Sequence, residues 1–424
     1  MKNRILAVLL LSFVSLISSA QDFSNKGTDF WVGYGLHSRM FLNNLGGTQD
    51  MVLYFATESV TTVTVSIPGL NFSQTYSNIS ANTIFTTPPL PKTGAQDARL
   101  IKEGITDQGI HIVSDKPIVA YAHIYDGNVS GATLLFPTVT LGKEYYSINF
   151  EQHANEDHSN CFFYAVAVDT GTTTIEVVPG ANTQNMVAGQ TYTFNLTQGQ
   201  VFNALGKITA RSNGTYDGED LTGTTIKSIS SGTGGCKKIA VFSGSGKLSI
   251  RCPLSTPGGS ADNYMVQDFP KNAWGKNYLT VPTSGMPYNY FRIAVLDPST
   301  IVKLNGVVLS GLVNNFYYQL AQTNVPNVIE ADKPVMVAQY ITTAKECGNT
   351  SLGDDGDPEV IYLSPVEQNI DKVIINSTPN SKITSHYINV VIPNGGTAIS
   401  SFKIDGAPPS AAFIPFPQKP SYSY

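Results

Sequence analysis

The chain has 424 residues, a net charge of −5, and only 13% Asp, Glu, Lys and Arg together, about half the share usual in soluble domains. So weak an ionisation, with no basic stripe, argues against a nucleic-acid surface. Beyond the N-terminus no apolar run reaches the ~20 residues of a membrane helix, and the length suffices for several hydrophobic cores.

Lys2 and Arg4 precede an apolar run from Ile5 to Ile17, followed by Ser18, Ser19 and Ala20. This reads as a secretory signal peptide over residues 1–20, cleaved after Ala20, rather than a buried helix. Residues 21–424 are then an exported, soluble chain expected in the extracellular space or at the cell surface. Past that point helical spacing is absent and period-two alternation dominates. Val63, Val65 and Ile67 alternate with Thr and Ser, Tyr192, Phe194 and Leu196 with Thr and Asn, and Leu248 and Ile250 with Lys and Ser. Pro68-Gly69, Pro179-Gly180, Asn305-Gly306 and Asp405-Gly406 punctuate these runs as turns. The fold class is all-β.

Two sequence types recur in alternation. One is Asp50–Gly69, seen again as Phe162–Gly180, Tyr290–Gly306 and His386–Gly406. The other is Lys116-Pro-Ile-Val-Ala-Tyr121, returning at Lys237 and Lys333. Repetition at this scale means one compound unit laid down several times. The blocks fall near 50–90, 105–150, 160–206, 222–282, 288–321, 324–377 and 386 onward, each of about four short strands. Four-stranded sheets stacked radially make a β-propeller, the expected arrangement; paired face to face they make tandem β-sandwiches, the alternative. The last block reads as incomplete at the C-terminus.

Four cysteines, Cys161, Cys236, Cys252 and Cys347, favour disulfides in an exported chain. Cys236 and Cys252 flank two presumed strands around Ser243–Gly246, so a hairpin would set them opposite each other. Cys161 with Cys347 then follows by elimination.

Three groups are candidate sites. Asp354, Asp355, Asp357 and Glu359 surround a glycine turn and offer oxygen ligands of the kind calcium takes, though without the spacing of a recognised calcium loop; a solvated turn is the plainer reading. His153, Glu156, Asp157 and His158 share a loop, but their spacing fits neither a zinc helix nor a finger. Tyr288 and Tyr290 are aromatics for glycan stacking or for the core. No nucleophile elbow, phosphate loop or cofactor motif is present, and no catalytic residue is assigned.

Several landmarks in order resemble the N-terminal domain of the IgGFc-binding protein family, found in mucus-associated animal proteins and in surface proteins of Bacteroidota. They are Lys26-Gly-Thr-Asp-Phe-Trp-Val-Gly-Tyr34, Ser114–Tyr121, Cys236–Gly244, Ala261–Pro270 and Trp274-Gly-Lys-Asn-Tyr278. The similarity covers roughly 26–406, and the few cysteines point to the bacterial branch. The resemblance implies a non-enzymatic extracellular binding or adhesion module whose loops recognise a glycan or a protein. A carbohydrate-active enzyme and a purely structural spacer are the alternatives. Two carboxylates converging in one cleft would mark the enzyme.

Overall fold

A computed structural model describes residues 25–41, 47–230, 235–252, 261–286, 288–343, 357–376 and 385–424. The signal peptide lies outside them, as do Asp354, Asp355 and Cys347. The chain is all-β, and among the described residues its repeat is a seven-stranded unit built three times.

The first unit comprises Gly27–Val32, Asp50–Thr57, Thr61–Ile67, Phe72–Ile79, Thr83–Thr86, Ile110–Tyr125 and Ser130–Leu134. Its sixth strand is sixteen residues long and belongs to two sheets. Residues 110–114 lie between the first and third strands, and the fourth strand extends that sheet. Residues 118–125 lie between the second and seventh strands, and the fifth strand extends the other. The switch occurs at Asp115-Lys116-Pro117. Proline has no N–H for the ladder, and Asp115 ties off the corner by accepting from Thr61 Oγ1 at 2.6 Å and Thr62 N at 2.7 Å.

The third unit repeats this order strand for strand. It comprises Gly275–Thr280, Tyr290–Val295, Val302–Leu304, Val307–Val308, Tyr317–Gln319, the long Asn327–Ile341 and Glu359–Tyr362. Asp332-Lys333-Pro334 turns the corner, and Asp332 accepts from Ile301 N at 2.8 Å. The recurring lysine–proline pattern therefore marks where one strand changes sheets. In the second unit the strands are Glu144–Tyr146, Cys161–Ala167, Thr173–Val178, Tyr192–Leu196, Val201–Leu205, a sixth strand split into Thr225–Ile229 and Ile239–Leu248, and Asp262–Gln267. They pair in the same order, with Gly104–Thr106 added at one edge.

These are tandem sandwich-like units rather than blades. The two alternating sequence types are the two halves of one unit, strands two to five and strands six and seven. Each half contributes to both sheets, so neither forms a free-standing four-stranded sheet. The fourth copy, His386–Gly406, does not follow the pattern. Among its described residues only Ile392–Pro393 form a strand, and Ala398–Ser401 form one helical turn.

The second strand of each unit is buried on both faces, and its alternation separates two cores. In Cys161–Ala167, Phe163 and Ala165 face the sandwich interior with Ile175 and Val241. Phe162, Tyr164 and Val166 face the first unit and pack with Tyr34, Leu36 and Leu100. Gly35 permits this closeness, since a Cβ there would overlap the Phe162 ring. In the third unit Phe291 and Ile293 face inward, while Tyr290 and Ala294 meet Tyr146, Ile148 and Phe150 of the second. The segment after each first strand thus covers the outer face of the next unit.

The cysteine pairings expected from the sequence are overturned. Ile239–Leu248 is a single strand running through Gly244, not a hairpin, so Cys236 and Cys252 sit beyond its opposite ends. Ten residues at ~3.3 Å each separate those ends by ~30 Å, far beyond disulfide reach. Cys236 is a free thiol, and so is the buried Cys161, which removes the Cys161–Cys347 pairing as well.

Candidate binding cleft between the second and third units

The charged residue that organises the junction of units two and three is Arg292, on the outer face of a second strand and 4% exposed. Its guanidinium lies 4.4 Å from the Phe150 ring centre and 4.3 Å from that of Tyr317. Nη1 donates to Asp220 Oδ2 at 2.5 Å, Asn149 O at 2.8 Å and Thr222 Oγ1 at 3.1 Å, and Nε donates to Gln319 Oε1 at 2.9 Å. A buried guanidinium is tolerable only when paired and bonded in this way. The other oxygen of Asp220 accepts from Thr222 N and Oγ1, at 3.0 and 2.6 Å.

Asn149 links this cage to the core. Its carbonyl also accepts from Tyr340 OH at 2.8 Å, its Oδ1 accepts from Tyr264 OH at 2.6 Å, and its Nδ2 donates to Ser147 Oγ at 2.7 Å. Ser147 and Ser243 hydroxyls meet at 2.7 Å, and Ser243 donates to Asp268 Oδ2 at 2.8 Å. Asp268 is buried, and Oδ1 has no partner among the described residues. Burial pushes its carboxyl up to about 8, against the hydrogen bond from Ser243 that favours the charged form.

In front of Arg292 opens a cleft of about 290 Å³, lined by Asn182, Glu219, Asp220, Thr222, Asn314 and Tyr317 among others. Burial raises the Tyr317 phenol to about 12, so it remains a neutral hydroxyl. Both oxygens of Asp220 are engaged by Thr222 and Arg292. Glu219 is therefore the one carboxylate of the cleft lining not already committed to that ion pair. The accessible chemistry is amide, hydroxyl and a single acid.

The candidates read from the sequence lie elsewhere. Asp357 and Glu359 fall beside Asp262; burial, then mutual repulsion, raises the Asp262 and Glu359 carboxyls well above their ordinary range, and burial alone raises Asp357. Among the described residues no three Asp, Glu, His or Cys side chains stand in metal-ligating geometry. His153 and His158 are not brought together. His153 Nδ1 bonds Asp217 Oδ1 at 2.7 Å, and the neighbouring Glu151 and Asp217 raise its pKa against the opposing effect of burial. His158 stacks on Phe41 at 3.8 Å. Glu156 pairs with Arg39 at 2.6 Å and Lys247 at 3.1 Å, pinning that loop to the first unit. Tyr290 belongs to the core, 4% exposed.

Residues 131–424 match the family model of the IgGFc binding protein. The chain belongs to this family. A comparison with curated proteins found no match. The matched range of this IgGFc-binding family member starts within the last strand of the first unit and takes in the second and third units with their cleft. The first unit, with the same strand order as the third, precedes most of it.

Sequence reasoning missed Arg292, Asp220, Asn149 and Asp268. One signal was legible: Arg292 interrupts the apolar run Tyr290-Phe-Arg-Ile-Ala-Val295, and a charge inside a doubly buried strand demands a partner. Nothing in the sequence identified that partner 72 positions earlier.

Proposed function

We propose that the chain is a non-enzymatic extracellular binding module that recognises a protein or a glycan at the cleft between units two and three. The observation that carries this reading is the state of Asp220. Both its oxygens are spent on Thr222 and Arg292, so the cleft offers Glu219 alone where a two-carboxylate hydrolase needs an acid and a second carboxylate. Family membership supports binding as the activity. Loops on a rigid scaffold are where such folds carry it. Export through residues 1–20 belongs to the same proposal, with a mature N-terminus at Gln21.

The test is an array of glycans, mucins and proteins, immunoglobulin Fc included, probed with the whole mature chain. A ligand is expected whose binding weakens at least about tenfold, ~1.4 kcal/mol, in Glu219→Gln or Asn314→Gly. Binding untouched by both substitutions would place recognition elsewhere, and turnover of an arrayed glycan would overturn the non-enzymatic reading.

A further inference from the structure

Neighbouring units meet through one recurring contact, so their junctions can be compared position by position. From the same place on each second strand, Tyr164 OH donates to Gly33 O at 2.6 Å, Arg292 Nη1 to Asn149 O at 2.8 Å and Asn389 Nδ2 to Pro282 O at 3.2 Å. Beside this contact the junction of the first and second units is closed. Gly199 O accepts from Gly109 N at 3.1 Å, and Gln200 Nε2 donates to Asp107 Oδ1 at 2.9 Å, so the acid there is engaged. The strand register puts Asn315 of the third unit where the second has Gly199, because Val166 faces Val201 as Ala294 faces Tyr317. Both have a left-handed φ, 83° at Gly199 and 63° at Asn315. Among the described residues no backbone bond joins Asn315 to the second unit. The cleft opens there instead.

It keeps an acid without a counter-ion. The N–H of Glu219 bonds Lys207 O at 2.9 Å, which fixes its backbone, but no side-chain bond or ion pair engages its carboxylate among the described residues. Arg292 and Asp220 offset one another as a pair at 2.5 Å. Glu151, 3.5 Å from His153 Nε2, joins Asp220 in opposing Arg292 in the field on the buried Tyr317 phenol. The lining therefore has a negative charge left over. In a partly enclosed cleft such a charge attracts a cation more strongly than it would on open surface.

We propose that the cleft takes the primary ammonium of a lysine side chain on a partner protein. Glu219 would be its counter-ion and the Asn314 amide a further acceptor, while Gly180, Ala181 and Ala188 in the lining leave room for the methylene stem. An amino sugar carries the same ammonium, but a sugar ring buries its C–H face best against an open aromatic ring. Tyr317, the one aromatic in the cleft lining, is 9% exposed and has the Arg292 guanidinium 4.3 Å from its ring centre. The cleft thus favours the protein source. This deepens the binding reading above and rests on it.

The test is saturation-transfer difference NMR on the whole mature chain with three probes: Nα-acetyl-lysine amide, the uncharged Nα-acetyl-norleucine amide, and glucosamine. The lysine probe is expected to bind at least about tenfold more tightly than either of the others, and at least about tenfold more weakly to Glu219→Gln. Ala188→Leu, which fills the cleft and leaves the acid, should weaken it by a similar factor. The norleucine comparison is made on the wild type and stands whether or not either variant folds. Norleucine binding as well as lysine, or lysine binding undiminished in folded Glu219→Gln, overturns the proposal. Tighter binding of glucosamine than of the lysine probe also overturns it and gives the cleft to a glycan. An arrayed ligand that depends on Glu219, with no binding of the lysine probe, removes this inference alone. A silent array with no probe bound removes the cleft reading as well.

Discussion

Asp268 gives the junction of units two and three a pH dependence that one substitution should erase. Its carboxyl titrates near 8 in the fold because it is buried, with Ser243 as its hydrogen-bond donor; in the unfolded chain it returns to the ordinary value of 3.8. The folded pKa is the higher one, so the stability linked to this proton is complete below about pH 4 and is lost as pH rises through about 8. Between pH 6 and 8 the loss is roughly 1.7 pK units, about 2 kcal/mol. Asp268→Asn keeps the shape and an acceptor for Ser243 but has no proton to lose. Urea unfolding followed by Trp274 fluorescence in a Trp31→Phe background reports on this junction, because Trp274 packs there with Tyr146 and Tyr264. The wild type should lose about 2 kcal/mol more than the variant between pH 6 and 8. Parallel pH profiles for the two proteins would refute the assignment of a neutral buried acid.

Four further outcomes are expected. His37 and His123 are held at about 4 by burial; their folded pKa values lie below the unfolded 6.5, so first-unit stability should hold above pH 6.5 and fall by up to about 3 kcal/mol per histidine towards pH 4, read by hydrogen exchange over 118–125. Arg292→Ala should cost ~3–5 kcal/mol by stranding Asp220, with Arg292→Met/Asp220→Asn recovering much of it in a thermal melt; equal losses would deny the coupling. Peptide mapping without reduction should find Cys161 and Cys236 alkylated after denaturation. Cys252 is disulfide-bonded, so the same map should link it to Cys347, the one cysteine left in the sequence. Melting with millimolar calcium tests the acidic loop, and an unchanged Tm assigns Asp357 and Glu359 to the crowded carboxylates around Asp262 alone.

The strand class, the repeat and the family were legible because they rest on local pattern. Alternation in Thr61–Ile67 places Val63, Val65 and Ile67 inward with no help from tertiary structure. The assembly was harder, because strands two and five join one sheet while three and four join the other, and hydrophobic period alone does not specify a partner. Gly244 misled for a related reason: glycine usually breaks a strand, but here it lets Phe162 approach the backbone within a continuous one. The cleft was invisible because Asp220 and Arg292 come from different units. Glu359 and Asp357 showed as an acidic loop, yet their fate depends on Asp262, a strand residue almost a hundred positions away.

The contact that joins neighbouring units has a bearing on how such chains lengthen. Its acceptor is a peptide oxygen, which every amino acid supplies, so only the donor side must be chosen, and phenol, guanidinium and carboxamide all serve. A duplicated segment can therefore be seated beside its parent without a matched mutation opposite, and arrays of this design can grow by copying before their side chains have had time to adapt to one another.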